Sequence, residues 1–271
     1  MDEESIRHYE TIALAEGTSK FSTMKDENVK DMEVEQISKA IEDVLSGNKK
    51  PVDILEVGCG NGYTLEKLVG RFDFGRIEGV DYSEPMVEVA NSRNFPIARI
   101  SRGDATNLDF EDESFDIAFT ERCLINIKPF ESQTKAINEI SRVLRPGGVY
   151  IAVEAFEDGR KKINDAREVV GLDEIPQPFH NLFFHQKQFL DSVKDAGLSR
   201  YKSSRGAVLP ENFLSTYYYG SRVLYPAIAA AQGKGLEYNN AFVEIFRHLP
   251  PVGDYSYIKM FILRKDFPKE I

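Results

Sequence analysis

The feature that most narrows what this chain can fold into is a run of short apolar segments alternating with helical ones. VDILEV (52–57), RIEGV (76–80), ARIS (98–101), FDIAFT (115–120) and VYIAVE (149–154) are rich in Val and Ile. They lack strict apolar–polar alternation, as strands do when helices cover both faces of their sheet. Helical patterns near 62–70, 84–92 and 131–144 separate them. Repeated β–α units of this kind build a parallel, doubly wound α/β sheet. Upstream, residues 31–46 place Val34, Ile37, Ile41, Val44 and Leu45 on one helical face. Beyond Glu154 the pattern changes. Residues 155–185 read as irregular, 189–198 as a helix, and 200–206 and 255–264 as a sixth and a seventh strand. A connection of roughly fifty residues between those two is too long for a hairpin loop and must form structure of its own. Its helical patterns, 211–230 and 237–248, suggest a cap. The expected organisation is a seven-stranded sheet domain from 31–206 and 251–271. A helical cap at 207–250 is inserted before the last strand, and an N-terminal segment at 1–30 closes over the ligand.

The first strand runs directly into Glu56-Val57-Gly58-Cys59-Gly60-Asn61-Gly62. Glycines at 58, 60 and 62 allow a tight turn and close approach of a ligand to the backbone. The following helix N-terminus then lies at the carboxyl edge of the sheet, where open α/β folds bind ligands and where amide N–H groups suit a carboxylate. Dinucleotide-binding turns need Gly or Ala at the sixth position of GxGxxG/A, and this chain has Tyr63 there. Glu56 at the turn's mouth is unfavourable beside a pyrophosphate and favourable beside a cationic, amino-acid-like ligand. The second strand ends at Asp81, placed to accept from two ribose hydroxyls; with Ser83 and Pro85 following, a capping role is the alternative. The third strand leads to Asp104-Ala105, where the carboxylate suits an exocyclic amino group, or a plain turn.

EVGCGNG, VDYS, GDATNLDFEDESFDIAF and LRPGG, in this order over residues 50–155, resemble the sequential motifs of class I S-adenosylmethionine-dependent methyltransferases. The resemblance implies a Rossmann-like methyltransferase fold and S-adenosyl-L-methionine as cofactor. By position, Glu56, Gly58, Cys59, Gly60 and Gly62 hold its methionine portion, and Asp81 with Tyr82 the ribose. Asp104 and Ala105 flank the adenine, and Glu121 lies close to cofactor and substrate. Met86 packs on the adenosine or belongs to the core. LRPGG is a turn entering strand five. The Asn/Asp-Pro-Pro-Tyr/Phe sequence of base amino-methyltransferases is missing after the fourth strand. Asn126 stands near the place where many small-molecule members carry His.

Net charge is −10, which repels nucleic-acid backbones and anionic membranes. No apolar run approaches the roughly 18 residues of a membrane span, and the acidic start MDEESIRHYE is unlike a secretory signal. Two cysteines in no metal-type spacing give neither a disulfide framework nor a metal site. The expectation is a cytoplasmic, metal-free protein acting on a small molecule. Oligomeric state is not legible, a homodimer being one option.

Methyl transfer to a hydroxyl or carbon acid needs a base within hydrogen-bond reach. His180, then His185, in the HNLFFHQ stretch are the candidates, with capping or aromatic packing as the alternative for each. Arg122, Asn181, Tyr218 and Arg222 are the candidate substrate contacts. Tyr218, Arg222 and Tyr225 share a helical face, which serves either as the cap's interior or as a grip on a polar acceptor. Tyr9 and Phe21 are the aromatic residues of the closing N-terminal segment. The expected activity is methyl transfer to O or N of a small polar metabolite, with a sugar or nucleotide-linked sugar as the leading class. The alternatives are a nicotinamide-dependent oxidoreductase and a catalytically silent cofactor-binding module.

Overall fold

The computed structural model describes residues 3–20, 24–46, 51–203, 205–237 and 239–267. Strands β1 (Val52–Val57), β2 (Phe74–Asp81), β3 (Ala98–Arg102), β4 (Phe115–Glu121), β5 (Leu144–Ala155), β6 (Leu198–Arg200) and β7 (Ile258–Lys265) form one seven-stranded sheet. Its spatial order is β3-β2-β1-β4-β5-β7-β6. The first five are parallel, and β7 runs antiparallel to both β5 and β6. The strand order reverses between β1 and β4, so the crevice beyond their carboxyl ends is the natural ligand position.

Ile54, Leu55, Ile117, Ala118, Phe119 and Tyr150 are fully buried, consistent with helices on both faces. Those helices are α2 (Glu27–Leu45), α3 (Tyr63–Val69), α4 (Glu84–Asn91), α5 (Phe130–Val143), α6 (Glu157–Val169) and α7 (Gln186–Asp195). In α5 the buried Ala136, Ile137, Ile140 and Val143 make one stripe at helical spacing. α4 starts where its sequence says it should, with Ser83 capping the Met86 N–H and Pro85 in the first turn. A further helix, α1 (Glu3–Glu16), lies across the carboxyl edge of the sheet and touches α4.

Four local expectations change. α2 begins four residues earlier than 31, because Asp26 accepts hydrogen bonds from the N–H groups of Asn28 and Val29. Its buried stripe runs through Val29, Lys30, Glu33, Ile37 and Ile41, while Val34, Val44 and Leu45 are only partly buried. The irregular stretch at 155–185 contains α6, a polar helix that buries only Gly159, Ile163 and Asn164. A Cβ at Gly159 would come within 2.1 Å of the Ser256 carbonyl oxygen, so glycine lets this helix touch the chain entering β7. LRPGG is part of β5, with a register shift against β4 between Phe115 and Ile117. The sixth strand is only three residues long, and Leu198 belongs to it instead of the preceding helix.

Between β6 and β7 lie α8 (Ser215–Tyr219), a π-helical turn (Gly220–Leu224), α9 (Tyr225–Ala231) and α10 (Ala241–Glu244). Phe213, Leu214, Tyr217, Tyr218, Val223 and Val243 from this insertion are buried in the same apolar cluster as the sheet.

Candidate cofactor and acceptor site

A cavity of about 680 Å³ opens between α1 and the carboxyl ends of β1 to β4. Its floor is the turn after β1. Gly58, Gly60 and Gly62 have φ of 79°, 50° and 74°, backbone that only glycine adopts without strain. The N–H groups of Gly58 and Cys59 donate to the Val80 carbonyl at 2.8 and 3.0 Å, stitching the turn to β2. A Cβ on Gly58 would stand 2.3 Å from Cys123 Sγ, while one on Gly60 would meet nothing. The turn is thus packed from behind and open above Gly60.

Asp81, at the tip of β2, accepts the Gly60 N–H at 2.8 Å on Oδ2 and the Ser83 N–H at 2.9 Å on Oδ1. Burial raises its pKa, and the N–H groups of Ser83, Gly60 and Tyr82 oppose that rise. Both oxygens retain accepting capacity towards the cavity. At the tip of β3, Asp104 Oδ1 accepts from the Thr106 N–H and hydroxyl, each at 2.8 Å. Tyr82, Met86 and Ala105 complete this end of the wall.

Under the turn lies a buried charged cluster. Lys30 Nζ donates to Glu121 Oε1 at 2.6 Å and to Thr64 Oγ1 at 2.9 Å, and Thr64 donates to Glu121 Oε2 at 2.6 Å. Arg122 Nε donates to Glu33 Oε1 at 3.0 Å, and Arg122 Nη2 lies 3.7 Å from Glu121. Desolvation would raise the Glu121 pKa, but Lys30 and Arg122 overcome it and hold the carboxylate low. Glu33 goes the other way: burial, with Glu121 adding to it against Arg122, pushes its carboxyl up to about 8. Glu56 is buried behind the wall, and burial together with Glu121 raises its pKa well above the ordinary range. Its Oε2 has no hydrogen-bond partner among the described residues.

The opposite side is apolar: Ile125, Ile127, Ile175, Pro176, Phe183 and Ile258 line it. The turn carrying Ile125 and Asn126 is fixed from below by Glu154, which accepts the N–H groups of Cys123, Leu124 and Ile125 at 3.3, 3.0 and 3.3 Å. Arg122, just before it, has a left-handed φ of 53°. α1 forms the roof with His8, Tyr9, Ile12 and Glu16. Tyr9 is latched to Asn126, and Asn126 Nδ2 donates to the Arg122 carbonyl at 2.8 Å. The chain leaving α1 is held by Asn61 Nδ2, which donates to the carbonyls of Gly17 and Ser19 at 2.9 and 2.8 Å.

Of the residues singled out in the sequence, Gly58, Gly60, Asp81, Tyr82, Met86, Asp104, Ala105, Glu121, Arg122, His180 and Asn181 share this cavity wall. Glu56, Cys59 and Gly62 stand behind it. His185 is exposed at the start of α7, outside the lining. Tyr218 and Arg222 are also outside it. Arg222 pairs with Asp26 and stacks over Tyr218, which meets Tyr257 edge-on at 4.9 Å. Because Tyr257 lines the cavity, Tyr218 buttresses the wall and does not face its interior. Phe21 lies outside the described residues. His8, Lys30 and Glu33 are site residues that the sequence reading missed. Lys30 and Glu33 could have been found, since a helix from Asp26 puts both on its apolar stripe.

A parallel sheet of this order, with a glycine turn after β1 and carboxylates at the tips of β2 and β3, defines the class I S-adenosylmethionine-dependent methyltransferase fold. The sequence model described as a methyltransferase domain matches residues 55–152 of this chain. Over 116 residues it is 35% identical to a demethylmenaquinone methyltransferase of Staphylococcus aureus strain MRSA252; this covers 41% of the chain and 46% of the relative. The chain thus spans about half the length of the curated relatives it matches. Two solved structures share the fold. A putative sarcosine dimethylglycine methyltransferase from Galdieria sulphuraria is 16% identical, with TM-score 0.58 over 97% of this chain and 99% of that one. The [4+2]-cyclase SpnF is 21% identical, with TM-score 0.52 over 85% and 82%. Among the described residues no helix is long and apolar enough to cross a membrane, and no cluster of His, Cys, Asp and Glu could hold a metal ion.

Proposed function

We propose that the chain binds S-adenosylmethionine on the turn between β1 and α3 and transfers its methyl group to a compact, largely apolar acceptor. One observation carries this reading: the cavity is two-faced, carboxylate-tipped around the glycines and aliphatic and aromatic under α1. Asp81 would hold the ribose and Asp104 the adenine amino group. The Glu56 oxygen that lacks a partner among the described residues lies buried behind the turn beside Glu121, and an ammonium held over the turn would favour its ionised form. When bound, the cofactor supplies a methyl group already activated on a sulfonium, so the chain's share is positioning and exclusion of water. α1 supplies the exclusion. His180 and Asn181 supply polar contacts for the acceptor; the Asn181 Oδ1 is buried without a partner among the described residues.

An anionic nucleotide-linked sugar is disfavoured. Arg222 is engaged by Asp26 outside the cavity, and Arg122 by Glu33 and Glu121. The relative's named acceptor, demethylmenaquinone, is a quinone and agrees with an apolar wall. Calorimetry with S-adenosylmethionine, S-adenosylhomocysteine and NAD tests the cofactor. Binding of the first two supports the reading, and heat from NAD alone would overturn it. A screen of hydroquinone, phenol and amine acceptors tests the transfer. Tight cofactor binding without methyl transfer to any of them would leave a silent binding module.

A further inference from the structure

We infer that His8, carried on α1, and His180 work as one imidazole pair: His180 takes the proton of the acceptor, and His8 positions and polarises it. The base is then complete only while α1 covers the cavity. This rests on the methyl-transfer reading above.

The two rings come from segments far apart in the chain and stack at 4.3 Å between centroids, with planes 22° apart. Both line the cavity. Phe179 stands edge-on to His180 at 5.0 Å and to His8 at 5.6 Å, and Tyr9 stands edge-on to His180 at 5.7 Å. The His180 ring is therefore enclosed on three sides, two of them supplied by the roof helix. Asn126, where a base would otherwise be sought, is already occupied in latching Tyr9 and the Arg122 carbonyl.

The acceptor's X–H proton goes to a ring nitrogen of His180, and the X lone pair forms the X–CH3 bond. The S–CH3 bond of the methyl sulfonium donor breaks, and its electron pair stays on sulfur as a thioether. Stacked imidazoles resist carrying a proton each, because like charges this close disfavour one another. Tyr9 lies against both rings, Lys128 Nζ donates to the carbonyl of the neighbouring Phe179 at 2.6 Å, and Glu4 precedes His8 by one turn of α1. Arg122, Asp81 and Tyr257 share the cavity wall.

Three variants test this: His180→Gln, His8→Phe and His8→Ala. Each is first checked for unchanged S-adenosylhomocysteine affinity by calorimetry. His180→Gln is expected to lower kcat about 100-fold, the lower bound for losing a positioned base, and to abolish the acid limb of the kcat/KM–pH profile. His8→Phe keeps a stacked ring, so it retains most of the alkaline-side activity while its acid limb moves. His8→Ala loses the stack and falls about 10-fold at every pH. In ring-proton NMR without cofactor, His8→Phe should move the His180 titration to higher pH, since the like charge beside it is gone. Unchanged NMR titration of His180, together with profiles within twofold of wild type for both His8 variants, overturns the pair. Failure of the wild-type chain to bind S-adenosylmethionine would instead overturn the methyl-transfer reading.

Discussion

Tyr9 on the roof helix donates a 2.8 Å hydrogen bond to Asn126 Oδ1 on the turn after β4, 117 residues further along the chain. Burial raises the Tyr9 pKa, so the phenol stays protonated and remains a donor at any physiological pH. Tyr9→Phe removes this latch and leaves the ring. A net hydrogen bond is worth about 0.5–1.5 kcal/mol, so opening of α1 should become about 2- to 13-fold more frequent. Hydrogen exchange over residues 3–16 measures it, with the rest of the sheet domain unchanged.

Asp81 accepts the Gly60 N–H and, in the proposed function, the ribose hydroxyls of the cofactor as well. Asp81→Ala should weaken S-adenosylmethionine binding about 100-fold or more, since hydrogen bonds to a charged group contribute about 1.5–3 kcal/mol each. Calorimetry of the folded variant checks this; a loss under threefold would remove Asp81 from the ligand.

Lys30 and Glu121 are a buried pair, with side-chain exposures of 8% and 3%. Removing one partner of such a pair costs about 3–5 kcal/mol, because the other charge is left stranded. Lys30→Ala should therefore lower the urea midpoint markedly, and more than Lys39→Ala, whose exposed partner is Glu35. Equal effects from the two would show that the cluster is solvated.

Glu33 gives the stability a pH dependence of definite sign. Its folded-state pKa is raised from 4.5 to about 8, so the folded state binds more protons than the unfolded state between those values. Stability attributable to Glu33 is complete below pH 4.5 and is lost as pH rises towards 8. Glu154, lifted by burial to about 7, adds a loss of the same sign over a lower window. Glu33→Gln can keep the Arg122 contact through its carbonyl and donate to Glu121 through its amide. Thermal melts from pH 5 to 9 should show a shallower decline for this variant than for wild type.

The parallel half of the fold was legible because β1 to β5 are short, Val- and Ile-rich and separated by helices, and the Glu56–Gly62 turn announced the cofactor end. α6 was not legible, because a stripe of Gly159, Ile163 and Asn164 carries almost no apolar signal. β6 is too short to show a period. In the site, Asp81 and Asp104 could be found because a strand end fixes each of them locally. His8, Lys30 and Glu33 acquire their roles only from contacts made across most of a domain, as between Lys30 and Glu121, 91 positions apart. Tyr218 and Arg222 carried the right chemistry, but Asp26 and Tyr257 claim them first.

Asn61 belongs to the glycine turn, yet its side chain grips the carbonyls of Gly17 and Ser19 just past the end of the roof helix. One side chain thus ties the glycine turn to the end of the roof helix. With a nucleoside on that turn, as proposed above, moving the helix would disturb the ligand's seat, so ligand release and roof opening should be coupled. A nucleoside held this way should survive purification, while the acceptor exchanges through the apolar side.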